Sequence, residues 1–250
     1  MCDFVGDFID DVGDFIGDVV DVVVDVVEDV VGWLIPQPEI PEFGDNFAEQ
    51  QAQGILVNKF TANAHIPVVY GTRKVGGNVV FLETSGTDNQ YLYMAVVLSE
   101  GEINSVETLF INENQVTLSG ALTDGTQRTV ASSDSNFFAD ASLITVQAHL
   151  GTESQSASTL LSTLTSWTSN HRLRGLAYLA IRFEWNADKF GSLPKVQAII
   201  KGRKIYNPNL DGTVTGGSGS HRKDTSTTWE YSDNPILQLL DYLRNERFGM

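Results

Sequence analysis

The chain has 250 residues with 42% hydrophobic side chains, 32 Asp and Glu against 16 Lys and Arg, and one cysteine. That length can bury a substantial core, as one large domain or two small ones beside an N-terminal segment. The lone Cys2 excludes an internal disulfide. Twelve of the 16 bases fall between Arg172 and Arg247, interspersed with acids and turns, and no zinc spacing, RNA-binding signature or helix-turn-helix pattern occurs, so specific nucleic-acid binding is not expected.

Charge is unevenly placed. Residues 1–50 hold fourteen acids and no Lys or Arg, which leaves 18 acids against 16 bases in the other 200 residues. The acidity belongs to the leader, and the remainder is close to neutral.

Residues 3–31 carry ten acids, no base and a nearly unbroken apolar remainder. Val5, Ile9, Val12, Ile16, Val19, Val23, Val26 and Val30 alternate spacings of four and three, and Asp7, Asp11, Asp14, Asp18, Asp21, Asp25 and Glu28 keep the same rhythm. A period of about 3.5 residues predicts a helix. With Val5 at heptad position d, Ile9, Ile16, Val23 and Val30 take a, and Val12, Val19 and Val26 take d. The acids then fall at c and f, facing away from a partner. Positions e and g are Gly6, Phe8, Gly13, Phe15, Val20, Val22 and Val27, with Asp29 the charge among them. Such an apolar face is too wide for a two-stranded seam, and β-branched residues at both a and d favour three or more strands. The pattern predicts a trimeric or higher bundle, or a helix packed on two sides. Valine and glycine are poor helix formers, so the helix depends on those partners.

A membrane-inserting or pore-lining helix is the alternative, since about 29 residues at ~1.5 Å rise are long enough to span a bilayer. Against it, each intramembrane acid costs on the order of 2.5 kcal/mol or more unless it lines a wet face, and anionic headgroups repel the segment. A secretory signal needs a basic start and an uninterrupted apolar core, and neither is present.

Trp33 ends this segment, and Pro36, Pro38 and Pro41 make residues 35–42 an extended connector. The expected division is a helix at 1–34, a Pro-rich connector and arm at 35–53, and a β-rich region at 54–250. That region divides near 150–175 if it holds two subdomains, and the end just after Gly249 hints at continuation past Met250. Short runs rich in Val, Ile, Phe, Tyr and Thr predict strands at 54–58, 66–70, 78–83, 91–99, 105–111 and 115–118, then at 143–148, 175–185 and 195–200. Residues 71–77 and 85–89 read as tight connections, and 120–134 as a loop or exposed hairpin. Leu160, Leu161 and Leu164 predict a short surface helix within 152–167. Residues 207–224 read as a long loop, with Gly216 to Ser220 a flexible linker. Asp233, Asn234 and Pro235 form a turn and helix cap before Ile236, Leu239, Leu240 and Leu243 on one face of a closing helix. The fold class is mainly β, a β-rich α+β.

No catalytic, cofactor-binding or metal site emerges. His65, His149, His171 and His221 have no ligand partner two to four residues on, and no GxSxG, HExxH, Walker or GxGxxG pattern appears. Glu184, Asp188, Glu230 and Asp233 are the carboxylates a glycoside-cutting pair would draw on, and Trp167, Trp185 and Trp229 the aromatics of a sugar cleft. Spacing singles out no two of the carboxylates, and buried aromatics of a β core account for the tryptophans.

Residues 62–77 (ANAHIPVVYGTRKVGG), 101–103 (GEI), 201–208 (KGRKIYNP), 231–235 (YSDNP) and 239–243 (LLDYL) occur in this order. As an ordered set over residues 54–250 they resemble the N-terminal half of the tail-tip host-specificity proteins of lambda-like long-tailed bacteriophages. The resemblance implies tail-hub or tail-tube-like β domains in a homotrimeric baseplate hub of the virion. Such a hub closes the distal tail tube at the tail tip, contacts distal-tail, tube and tape-measure proteins, and links to a host-binding central fibre, without cofactor or enzymatic activity. The acidic helix lies outside the matched portion. Its expected place is in or near the lumen, apolar seam inward among partners and acids toward the path of the DNA. A membrane-active segment that opens a DNA-ejection channel through transient host-membrane contact, and a cell-wall-degrading tail enzyme, are the alternatives. Within the motifs, Arg203 and Lys204 read as a solvated strand end, with pairing to a neighbouring subunit or loop as the alternative.

Overall fold

The computed structural model describes residues 58–60, 64–139, 141–190 and 192–247. The predicted acidic helix with its seam and its acids, the connector and the strand at 54–57 therefore lie outside the described residues.

The described chain is mainly β, as its composition predicts. Strands β1 (Thr72–Val75), β4 (Ile103–Ile111), β5 (Asn114–Val116) and β9 (Val196–Ile205) form one antiparallel sheet in the order β1-β9-β4-β5, with β10 (Glu230–Tyr231) paired to the end of β9. Strands β2 (Asn78–Ser85), β3 (Tyr91–Glu100), β6 (Gln127–Thr129), β7 (Ile144–Leu150) and β8 (Leu176–Glu184) form the second, in the order β2-β3-β8-β7-β6. Residues 71–77, expected as a tight connection, contain β1, because pairing with β9 supplies what a four-residue run cannot provide locally.

The sheets pack face to face. Leu92, Met94 and Val96 of β3, Val146 and Ala148 of β7, and Leu179, Ile181 and Phe183 of β8 meet Leu109 and Ile111 of β4 and Val196, Ala198 and Ile200 of β9 in one core. Alternation alone does not yield this arrangement. Val106 and Leu109 are both buried although three apart, because the register of β4 against β9 slips between Val106 and Thr108 and leaves Glu107 as a bulge. The β4–β5 hairpin closes through Asn112 and Glu113, at φ 49° and 68°, the paired positive values of a two-residue turn that follows strand twist.

Strand β3 is apolar on both faces and is covered on both. Tyr93, Ala95 and Val97 point away from the inter-sheet core and pack with Tyr178 and Ala180 of β8 beneath Leu160, Leu161, Leu164 and Trp167. The covering segment is not the expected surface helix. Only Leu161–Thr163 forms a 3-10 turn, and the three leucines are buried rather than superficial.

Two buried glutamines fix its path. Gln147 donates from Nε2 to Gly125 O (2.6 Å) and Thr159 Oγ1 (3.0 Å) and accepts from Ser158 Oγ (2.6 Å) and Leu160 N (3.2 Å). Gln155 accepts from Gly151 N (3.0 Å) and donates to the carbonyls of Arg172 (2.9 Å), Leu173 and Leu176 (3.1 Å). Amide side chains satisfy backbone groups that a helix would have satisfied itself.

Helix α1 (Pro235–Arg244) closes the described chain with the predicted cap: Asn234 Oδ1 accepts from Ile236 N at 2.9 Å, and Pro235 stands in the first turn. Its orientation differs from expectation. Leu237 and Asp241 face the body, while Ile236 and Leu239 face solvent. Among the described residues no helix is long and apolar enough to cross a membrane.

Candidate functional site

All five sequence segments that carry the phage-tail resemblance converge at one end of the sandwich, 231–235 through Tyr231, which pairs with Lys204 and meets Thr72 Oγ1 at 3.0 Å. Residues 64–71 run as an extended strap from one sheet to the other. Asn78 Nδ2 of β2 donates to the carbonyls of Ala64 (3.4 Å) and His65 (3.3 Å), and Glu100 N of β3 to Pro67 O (2.9 Å). Val69 N then donates to Ser99 Oγ (3.1 Å), while Arg203 N and Gly202 N of β9 donate to Val69 O (2.7 Å) and Gly71 O (2.8 Å). Buried Asn58 makes a second tie, accepting from Val196 N (2.6 Å) and donating to Val196 O (2.9 Å) and Gly76 O.

The glycines of the motifs earn their place by proximity. A Cβ on Gly202 would stand 2.1 Å from Val69 O and 3.1 Å from Gly71 O, both backbone atoms. Gly101, at φ 85°, has Arg203 Nη1 only 2.1 Å from where a Cβ would be.

Arg203 and Lys204 are paired within the chain, contrary to the expected solvated strand end. Lys204 Nζ meets Glu102 Oε1 at 2.5 Å, and Lys204 N donates to Glu102 O at 2.9 Å. Arg203 Nε meets Asp241 Oδ2 of α1 at 3.1 Å, with the two side chains 17% and 7% exposed. Tyr70 OH donates to the same carboxylate oxygen at 2.6 Å. Burial, then the hydrogen bond to Asp241, pushes the Tyr70 phenol well above its ordinary range. One carboxylate thus joins strap, sheet and helix. Asp241 lies in the LLDYL segment, but helical periodicity put it off the face of Ile236, Leu239, Leu240 and Leu243 and gave no sign of this junction.

The 207–231 stretch is organised around Asp211, which is buried. Its Oδ1 accepts from Thr213 N (2.9 Å), Thr213 Oγ1 (2.6 Å) and Arg222 Nη1 (3.2 Å), and its Oδ2 from Tyr206 OH (2.7 Å). Asn207 N donates to His221 Nδ1 at 3.1 Å, and Trp229 Nε1 to Arg222 O at 2.8 Å. The glycine-rich run is folded against this centre rather than strung out as a linker: a Cβ on Gly217 would stand 2.3 Å from Asp211 O.

The hydrogen bonds from Thr213 and Tyr206 hold the Asp211 carboxyl down to about 2, against an ordinary value of 3.8, and push the Tyr206 phenol up. A depressed folded value stabilises the stretch above pH 3.8 and is lost as pH falls toward about 2. Amide exchange in 207–231 is therefore expected to accelerate across that acid window ahead of β3 and β8, and Asp211→Asn is expected to remove the pH step. An exchange profile flat between pH 4.5 and about 2 in the unaltered chain would contradict this.

Two of the carboxylates of the glycoside-cutting reading, Glu184 and Glu230, stand far apart. Glu184 pairs with Tyr91 at one end of β3, whereas Glu230 pairs with Ile205 at the end of β9 that bonds Glu102, just beyond the other end of β3. Ten residues of strand separate the ends, roughly 30 Å, so these carboxylates do not flank one bond. Trp167 is buried edge-on to Phe81 at 5.0 Å, Trp185 packs against the inter-sheet core, and Trp229 lies beside Tyr206. His149 stacks on Tyr178 at 4.5 Å, where burial lowers its pKa, and His221 lies far along the chain in the Asp211 network. Among the described residues no three His, Cys, Asp or Glu side chains cluster as metal ligands.

No known family profile matches the chain. It is 24% identical over 224 residues to the baseplate hub protein pb3 of Escherichia phage T5, an alignment covering 74% of this chain and 22% of that protein. A chain in the virion of a native gene transfer agent particle is 15% identical, with a TM-score of 0.44 over 82% of this chain and 39% of its own length, a weak likeness of shape. The chain thus spans about a fifth of the length of the phage protein it matches, and the similarity supports a structural protein of a phage particle, of the tail or baseplate kind.

Proposed function

We propose that the chain is the N-terminal hub portion of a trimeric tail-tip protein of a lambda-like long-tailed phage. Three copies close the distal tail tube and connect it to the host-binding fibre. The observation that carries this reading is the similarity to a phage baseplate hub protein across three quarters of the chain. The convergence of the strap, β9 and α1 agrees with it: buried side chains fasten the segments to one another, as a load-transmitting scaffold requires.

The acidic segment at 3–31 has its proposed place in or near the lumen, where its acids would repel passing DNA. Sedimentation equilibrium of the full chain and of a chain lacking residues 1–34 tests the oligomer. A trimer in both assigns assembly to the β body, and a trimer in the full chain alone assigns it to the acidic segment. A monomer in both at tens of micromolar protein sinks the trimeric reading. Particle reconstruction with the acidic segment outside the tube would remove its luminal role.

A further inference from the structure

Helix α1 is docked with its less apolar side inward. Asp241 is held by Arg203 and Tyr70, Leu237 is buried, and Arg244 lies over the Tyr206 ring at 5.0 Å. The opposite side carries Ile236 at 74% exposure and Leu239 at 56%, with Tyr242 at 44% on the flank. Beside it runs an open groove of about 460 Å³ lined by Ile66, Val68, Tyr70, Glu100, Tyr242 and Arg247. Large apolar side chains massed on one short helix above a groove are costly to leave in water.

We infer that this face of α1 and its groove dock the apolar stripe of residues 3–31 of the same chain. Three observations favour that occupant. The stripe is too wide for a single seam: Phe8, Phe15, Val20, Val22 and Val27 flank the Val and Ile positions, so it needs an apolar partner besides copies of itself. The chain enters the described body at Asn58, tied to Val196 and Gly76, and the strap at 64–71 then carries it beneath α1 to the groove that Ile66 lines. Residues 32–57 can extend on the order of 85 Å, far more than a return to α1 requires. Helix α1 is about 15 Å long, so it engages roughly two heptads and leaves the rest of the stripe for other partners.

The contact goes beyond the hub reading and stands apart from it. The test uses the full chain with the photocrosslinker p-benzoylphenylalanine in place of Leu239, whose exposure allows the change, in a mixture of isotopically light and heavy copies. Crosslinked peptides from 3–31 are expected, light-to-light and heavy-to-heavy. Mixed-isotope links to 236–243 would place a second copy on the face, and links elsewhere or none would leave it without this occupant; each overturns the inference, as do mixed-isotope links to 3–31. Leu239→Asp supplies a second readout: amide exchange in 3–31 should rise at least tenfold while that of β3 and β8 stays unchanged, and an unchanged segment contradicts the contact. A monomeric mass would sink the trimer and spare this contact, whereas an intact trimer with crosslinks elsewhere would do the reverse.

Discussion

Gly202→Ala is expected to be the most damaging single-methyl change in the described chain. The new Cβ would lie 2.1 Å from Val69 O and 2.7 Å from Val69 C, and neither atom can rotate away as a side chain would. The strap must lift from β9, breaking the bonds from Gly202 N to Gly71 O and from Arg203 N to Val69 O. Arg203 would shift with them and loosen its pairing with Asp241. Combined overpacking and loss of buried backbone bonds belongs to the tail of mutational effects above about 4 kcal/mol. For a chain of this size that corresponds to a fall in Tm of roughly 8–16 °C. Thermal unfolding followed by circular dichroism checks it, and a fall of less than about 2 °C would show that the strap does not rest on β9 as described.

Asp241→Ala is expected to cost about 3 kcal/mol, toward the lower end for a broken buried ion pair because Arg203 keeps some access to water. The change strands a largely buried guanidinium and leaves the Tyr70 hydroxyl without its acceptor. The double-mutant cycle with Arg203→Ala isolates the pair, and near-additive losses would show that the two side chains act independently. Asp241→Asn keeps the shape but removes the charge. Burial still holds the Tyr70 phenol high, but the contribution of Asp241 goes, so its titration followed by ultraviolet absorbance should move to lower pH. A Tyr70 titration unmoved by Asp241→Asn would count against this three-way junction.

Much of the β body is legible in the chain because strands and turns are written locally. The runs at 78–83, 91–99, 105–111, 175–185 and 195–200 coincide with β2, β3, β4, β8 and β9, and Asn234 with Pro235 marks the start of α1. The junction is less legible. Tyr70, Gly101, Arg203 and Asp241 sit in four separate segments, and nothing in any one of them shows that a carboxylate 171 residues beyond Tyr70 will accept a hydrogen bond from its hydroxyl.

The sequence by itself determined the mainly β character, the acidic leader set against a near-neutral body, the heptad rhythm of 3–31 and the helix cap at Asn234, since each depends on composition, periodicity or the chemistry of neighbouring residues. Tertiary structure alone decided the irregular path of 152–173 over β3 and β8, the bulge at Glu107, the folding of the glycine run against Asp211 and the outward turn of Ile236 and Leu239. The physical reason is common to all of these. Each turns on which distant group satisfies a buried amide, carbonyl or charge, and that pairing comes into being only when the two sheets, the strap and the helix have closed on one another.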